Sequence, residues 1–373
     1  MSRQAIGLID CHNSPSLGGI TANRCLASTS FLGRYAFIDF ALSNFCNSGI
    51  ADVGILVKDH QRSVLKHLGN MTAWVTNTKI GRRALFYNEN GPLNPACNSD
   101  IANIRQNDWV LYDSKADYLV FASAHVILDI DFRPILAEHI ARKETVTMVY
   151  QKVNNADVAF RHESVLGIDK DGYVESINPN GGRKKNADVS LEIWIVNRPI
   201  LADLIKKHGQ VDPTYGMREM IGYLFRAGKI KIHAHEHKGY ARSFDSLAHY
   251  MEYSFELLKE APAKALFRPD WPIYTVTHDT PPALYGREAS ISNSFVANGC
   301  IVEGSVKDSI ICRGVKVGKG AKVERSIVFS NVALGADTAI SDCVIDKYGI
   351  VTKGHKAAGT KESVLYLNQG AIL

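Results

Sequence analysis

Three histidines alternate in the stretch KIHAHEH, as His233, His235 and His237. On a strand, residues two apart point to one face, so three imidazoles could converge on a metal ion. No Cys or His pair elsewhere offers an obvious further ligand, and a solvated strand face is the plainer reading. Asp129 and Asp131 in HVILDIDF could form a carboxylate pair for Mg2+ at the end of an apolar strand. Asp131 is better read as the cap of a helix starting near Arg133, while Asp129 stays open. Cys11 beside His12 suggests a nucleophile and its base. Adjacent residues on a turn rarely face each other, and no third orienting group is evident. Lys184-Lys185 in NGGRKKN reads as a solvated basic loop. None of these groupings makes an active site by itself.

Cys11 and His12 belong to a loop that raises a sharper question. The apolar run Ala5 to Ile9 is expected as a buried first strand, followed by a turn-rich segment and then a helix. In α/β proteins that junction holds phosphates on free backbone N–H groups. Here it reads Cys11-His12-Asn13-Ser14-Pro15-Ser16, with no Arg or Lys and no Gly until Gly18.

The elements that must position these groups alternate along the first two-thirds of the chain. Strands are expected at Ala5–Ile9, Asp52–Val57, Tyr118–Ala122, Thr145–Gln151, Leu191–Val196 and Lys229–Ala234. Helices are expected between them, at Ala36–Cys46, Arg62–Leu68, Ile101–Asp113, Arg133–Arg142, Arg198–His208, Thr214–Ala227 and Ser246–Glu260. This rhythm predicts an α/β domain over residues 1–265, with a mostly parallel sheet covered on both faces. Residues 266–287 hold Pro269, Pro272, Pro281 and Pro282 and read as an extended connector. In 288–373 aliphatic residues recur at Val296, Ile301, Val306, Ile311, Val317, Val323, Val328, Leu334, Ile340, Ile345 and Val351. Steps of five and six, with small residues and Gly between, fit a hexapeptide β-helix that buries one aliphatic per side. Its open end and flat faces favour packing on another subunit.

Composition narrows the classes. The 373 residues are 46% hydrophobic and 22% charged, ordinary for a globular protein. A net charge of +5, without a basic block interleaved with aromatics, argues against nucleic acid. Seven Cys without a close CxxC pair fit a reducing compartment. No apolar run is long enough to span a bilayer, so a cytoplasmic protein with no membrane partner is expected.

Three stretches resemble the ADP-glucose pyrophosphorylase (glucose-1-phosphate adenylyltransferase) family. They are GRYAFIDFALSNFCNSGI (Gly33 to Ile50), DWPIYTVTHDTPPA (Asp270 to Ala283), and the repeat containing GCIVEGSVKDSIICRGVKVG and the CVIDK element, Cys343 to Lys347. The resemblance implies a Rossmann-like nucleotidyltransferase domain with a mixed, mainly parallel sheet, then a left-handed parallel β-helix. It also implies a reaction in which glucose 1-phosphate attacks the α-phosphorus of ATP, with two carboxylates on Mg2+ and basic groups on the phosphates.

The family's functional groups fall on the wrong residues here. Its G-G-x-G-S/T-R-L loop aligns with Cys11, His12, Asn13, Ser14, Pro15, Ser16 and Leu17, so the phosphate Arg has become Ser16. Three glycines are lost and Pro15 removes an N–H donor. The Lys of A-K-P-A lands on Leu26, and the sugar-phosphate Lys of E-K-P on Asn178. The two metal-binding Asp positions hold His125 and Ser243. The chain thus resembles the family's non-catalytic, regulatory (GlgD-type) branch. That implies a degenerate nucleotide loop, no catalytic residue, no bound metal or cofactor of its own, and assembly with a catalytic subunit that carries the Mg2+, in a heterotetramer serving glycogen biosynthesis. The alternative is a divergent active nucleotidyltransferase whose metal site is rebuilt from Asp10, Asp129 and Asp245.

Overall fold

The run AIGLID forms a six-residue strand buried along its whole length, β1 (Ala5–Asp10). The computed structural model describes residues 5–75, 81–88, 94–108, 116–361 and 363–373. The next strands are β2 (Ser30–Phe31), β3 (Tyr35–Ala36), β4 (Val53–Leu56), β5 (Arg83–Phe86), β6 (Tyr118–Ser123) and β7 (Val126–Leu128). Then come β8 (Val146–Val153), β9 (Ser164–Ile168), β10 (Val174–Pro179), β11 (Ala187–Asn197), β12 (Ile232–Glu236) and β13 (Ala241–Ser243).

β1 lies between β4 and β6, parallel to both, and β5 adds a further parallel strand beside β4. β11 joins β6 antiparallel, β8 joins β11, and β12 runs parallel to β8 at the edge. The sheet is therefore mixed and mainly parallel. Both faces are covered, as the alternation of apolar segments requires. Ala5 and Ile9 point into a cluster with Phe45, Val64, Phe132 and Ile135. Ile6 and Leu8 point the other way, onto Ile101, Leu204, Met220 and Leu224. Gly7 sits where a Cβ would lie 2.9 Å from the ring of Phe45, so glycine lets helix Phe37–Asn47 close on the sheet.

Several features differ from the sequence expectation. β2, β3, β5, β9, β10 and β13 correspond to no expected strand. The helix expected at Ser246–Glu260 is two, Leu247–Glu256 and Glu260–Leu266, separated by Leu257–Lys259. The helix expected over Ile101–Asp113 is seen at Asp100–Gln106, and residues 109–113 lie outside the described residues.

The connector is pinned to the first domain. Trp271 Nε1 donates to Asn44 Oδ1 (2.8 Å), Tyr274 N donates to Ser43 Oγ (2.8 Å), and Asn47 Nδ2 donates to the Pro272 carbonyl (2.9 Å). The two stretches Gly33 to Ile50 and Asp270 to Ala283 are thus one structural unit, the polar face of a helix gripping an extended strap.

Beyond the strap stand three parallel sheets of five strands each, stacked as a left-handed β-helix. Val306, Val323 and Ile340 form one inward column, and Val302, Val317, Leu334 and Val351 another. The second column corrects the expected periodicity: Val302 is the buried residue, while Ile301 faces outward and is 38% exposed. A third sheet packs on the first domain, where Ile310, Ile327, Phe329 and Val344 meet Phe31, Phe37, Phe40, Phe244 and Tyr250. Arg24 crosses that junction to Asp346 (2.8 Å), with both side chains buried.

Candidate functional site

The strand ends of β1 and β6 and the short antiparallel pair β7–β13 converge on one buried point. The β7–β13 register sets Ser243 opposite Val126, next to His125. His125 Nε2 lies 2.8 Å from Glu163 Oε1, and Ser243 Oγ donates to the same oxygen at 2.7 Å. His125, Glu163 and Ser243 are completely buried.

The second carboxylate oxygen of Glu163 is 3.6 Å from Arg218 Nη2. Arg218, in the first turn of helix Met217–Arg226, also pairs with Glu192 at 2.9 Å and donates to the His162 carbonyl at 3.1 Å. Glu192 sits where β11 bulges against β8, with φ +53. A non-glycine residue held there carries backbone strain, which the ion pair with Arg218 holds in place. Burial opposes a charged imidazole at His125, but the adjacent Glu163 charge and hydrogen bond outweigh it and raise the His125 pKa. Burial likewise opposes the Glu163 carboxylate, yet His125, Ser243 and Arg218 hold its pKa below the ordinary value. The point is therefore filled by an internal imidazole–carboxylate–guanidinium chain.

The loop after β1 is also closed on itself. Asp10 accepts from His12 N (2.8 Å) and Asn13 N (3.2 Å), so these two loop N–H groups are taken. Leu17 N donates to Thr21 Oγ1 and Gly18 N to Ser16 Oγ. Pro15 has no N–H. The His12 ring is buried, with Nε2 3.2 Å from Asn103 Nδ2 and Nδ1 3.3 Å from Asp10. Asp10 and Asn103 thus orient His12, the kind of group not evident from sequence. Burial raises the Asp10 pKa, but bonds and charge from His12 outweigh it and leave it lowered. The Cys11 thiol is pushed well up by its hydrogen bond with Cys25 and by burial, which disqualifies it as a nucleophile.

The remaining sequence candidates separate. Ser14 is half-buried and Ser16 exposed. Leu26 is buried in the aromatic cluster at the β-helix junction, and Asn178 is exposed at the end of β10. Of the five positions at which the family resemblance implies catalytic groups, the chain brings His125 and Ser243 together around Glu163. Asp131 caps helix Phe132–Arg142, accepting from Arg133 N at 2.9 Å. Asp129 is tied to Arg268 (2.9 Å), and burial raises its pKa to about 6. Asp245 is held by His249 (2.5 Å) and by Arg161 N (2.9 Å). His233 and His235 share Glu138, whereas His237 leaves the strand and faces the Tyr240 carbonyl. Among the described residues, no group of three or more His, Cys, Asp or Glu is arranged to hold a metal ion.

Sequence reasoning missed Glu163, Glu192 and Arg218. One signal for them existed: Glu192 is the lone acid in the apolar run VSLEIWIV, and a buried carboxylate needs a cation.

A cavity of about 740 Å3 lies elsewhere, between the first domain and the β-helix. Arg24, Arg34, Arg62, Lys66, Arg313 and Lys347 line it, and among the described residues no carboxylate does. No helix of the described residues is long and apolar enough to cross a membrane.

Residues 17–158 match the Nucleotidyl transferase family, and residues 281–363 match the family described as GlmU-like, C-terminal hexapeptide. The chain is 31% identical to the glycogen biosynthesis protein GlgD of Bacillus subtilis (strain 168), covering 100% of this chain and 97% of that one. It is 32% identical to the protein of the same name from Geobacillus stearothermophilus, over 87% of this chain and 84% of that one. Glucose-1-phosphate adenylyltransferase of Thermomicrobium roseum is 29% identical, over 90% of this chain and 83% of that enzyme. Built on a nucleotidyltransferase domain and a β-helix, and matched end to end by such a relative, the chain belongs to the GlgD family of glycogen biosynthesis proteins.

Proposed function

We propose that this chain is a non-catalytic, regulatory partner of a glucose-1-phosphate adenylyltransferase. It assembles with the catalytic subunit in the cytoplasm, as a heterotetramer, and raises that subunit's synthesis of ADP-glucose. The observation that carries this reading is the shared contact of His125 and Ser243 with buried Glu163. Where the family would seat Mg2+ between two carboxylates, this chain has an imidazole, a hydroxyl and a carboxylate already committed to both and to Arg218. Such a donor set does not fit a hard divalent cation, which takes oxygen ligands and few neighbouring cations. Mg2+ belongs to the catalytic subunit, and this chain needs no cofactor of its own. The self-bonded loop, with His12 N and Asn13 N given to Asp10, supports the same reading for nucleotide.

Activation is a population shift: the chain binds the active conformation of its neighbour better than the inactive one. The divergent-enzyme alternative would rebuild a metal site from Asp10, Asp129 and Asp245, but these carboxylates are engaged by the His12 and Asn13 N–H groups, by Arg268 and by His249.

The test is ADP-glucose formation from ATP, Mg2+ and glucose 1-phosphate, by this chain alone, the catalytic subunit alone, and the two co-expressed. The expected result is no turnover alone and a gain on mixing, in one co-eluting oligomer. Turnover by the isolated chain, abolished in Asp245→Ala, would establish the alternative instead.

A further inference from the structure

The loop after β8 holds a strained residue. Phe160 has φ +54, a conformation that bulky side chains rarely adopt. It is buried and held by Asn180, whose side-chain amide donates to the carbonyls of Ala156 (2.9 Å), Ala159 (3.1 Å) and Phe160 (3.0 Å). Ala156 N in turn donates to the Lys185 carbonyl (2.9 Å), which ties this loop to the one entering β11. Strain held in this way clusters at ligand clamps.

The two loops wall a cleft of about 710 Å3 that runs between the ends of β8 and β11 and Arg242 of β13. Val153, Phe160 and Ala187 supply its apolar lining. Asn154, Asn155 and Asn186 supply amides, exposed and without a side-chain hydrogen bond among the described residues. Gln151 Nε2 donates to the Gly239 carbonyl (2.8 Å), which leaves its amide oxygen to accept. Each cation at the cleft already has a carboxylate. Glu256 grips Arg242 through both oxygens (2.9 and 2.5 Å), and Lys152 pairs with Glu236 (3.3 Å).

The cavity at the domain junction is the opposite, lined by cations, so the two sites suit different ligands. A phosphate finds no spare cation in the cleft. Free amides match hydroxyls, since both groups donate and accept. An apolar lining with a few placed polar groups suits the C–H faces of a sugar ring. We propose that this cleft binds a neutral glucan chain, a run of α-linked glucose units. The family's place in glycogen biosynthesis selects glucose among hydroxyl-rich ligands. The inference rests on that membership and not on the regulatory reading above. Binding needs neither turnover nor the catalytic subunit, so its failure would leave that reading standing.

Affinity electrophoresis of the full-length chain through native gels containing glycogen tests this, with maltotetraose as soluble competitor. Saturable retardation is expected, reversed by maltotetraose and not by cellotetraose. Asn154→Ala combined with Asn186→Ala is expected to weaken binding about tenfold, the loss of two ordinary hydrogen bonds. Both side chains are exposed and unpartnered, so the double variant is expected to keep the wild-type melting temperature. Sulfate, a probe of the basic cavity, is expected to leave the retardation unchanged at constant ionic strength. No retardation, equal competition by cellotetraose, displacement by sulfate, or full binding by the double variant would each overturn the proposal.

Discussion

His125 Nε2 lies 2.8 Å from Glu163 Oε1 in a completely buried space, at the position where the resemblance to the nucleotidyltransferase family implies a metal carboxylate. Much of what the chain is expected to do follows from that contact.

Removing His125 leaves the buried Glu163 carboxylate with only Arg218, at 3.6 Å, and the Ser243 hydroxyl. His125→Ala is expected to cost about 3–5 kcal/mol of stability, the usual loss for half of a buried pair. Urea unfolding of the isolated chain measures it. A loss under about 1 kcal/mol, the range of an exposed pair, would mean that the contact is solvated.

The same pair fixes a pH dependence. The His125 pKa is raised above 6.5, so its contribution is full below that value and is lost as pH rises through the folded pKa. The Glu163 pKa is lowered below 4.5, so its contribution is present above that value and is lost as pH falls through the folded pKa. Both are fully present between 4.5 and 6.5. His125→Gln should flatten the alkaline limb of the stability profile, read by melting temperature from pH 5 to 9. A limb unchanged by the substitution would assign it to another group.

Mg2+ should leave the melting temperature of this chain unchanged, because a ligand stabilises only in proportion to its affinity for the folded state. A saturable rise on titration, lost in Asp129→Asn or Asp245→Asn, would reveal a rebuilt metal site.

Arg24 and Asp346 join the two halves of the chain through a buried ion pair, and Tyr366 donates to the same Asp346 oxygen. Each single alanine variant is expected to destabilise strongly, and the double by less than the sum. Additive losses in urea unfolding would show that the two residues act separately.

The cavity beside that pair holds cations that repel. Burial and the neighbouring Arg34 lower the Arg313 pKa, and burial and Arg24 lower that of Lys347. Sulfate is therefore expected to raise the melting temperature more than chloride at equal ionic strength, and Arg313→Glu to remove most of the difference. Equal shifts in both proteins would point to general salting-out.

The strands and helices with clear periodicity were legible in the sequence, and so was the β-helix repeat. Ile301 was not placed correctly because Ile301 and Val302 are both aliphatic, and step lengths of five and six tolerate either. β9 and β10 were missed because SVLGI and VESINP are short and half-exposed, with little alternation to mark them. At the site, aligned positions identified His125 and Ser243 as departures from the family. Their partners could not be found that way. Glu163 and Arg218 lie in unrelated segments of the chain, and folding alone brings them to one carboxylate.

That carboxylate also bears on what the site can become. Aspartate at position 125 would press two buried negative charges together, and losing Glu163 would leave the buried His125 ring without its partner. On the non-catalytic reading proposed above, a single substitution toward a carboxylate metal site therefore passes through a less stable protein, and the contact acts as a ratchet.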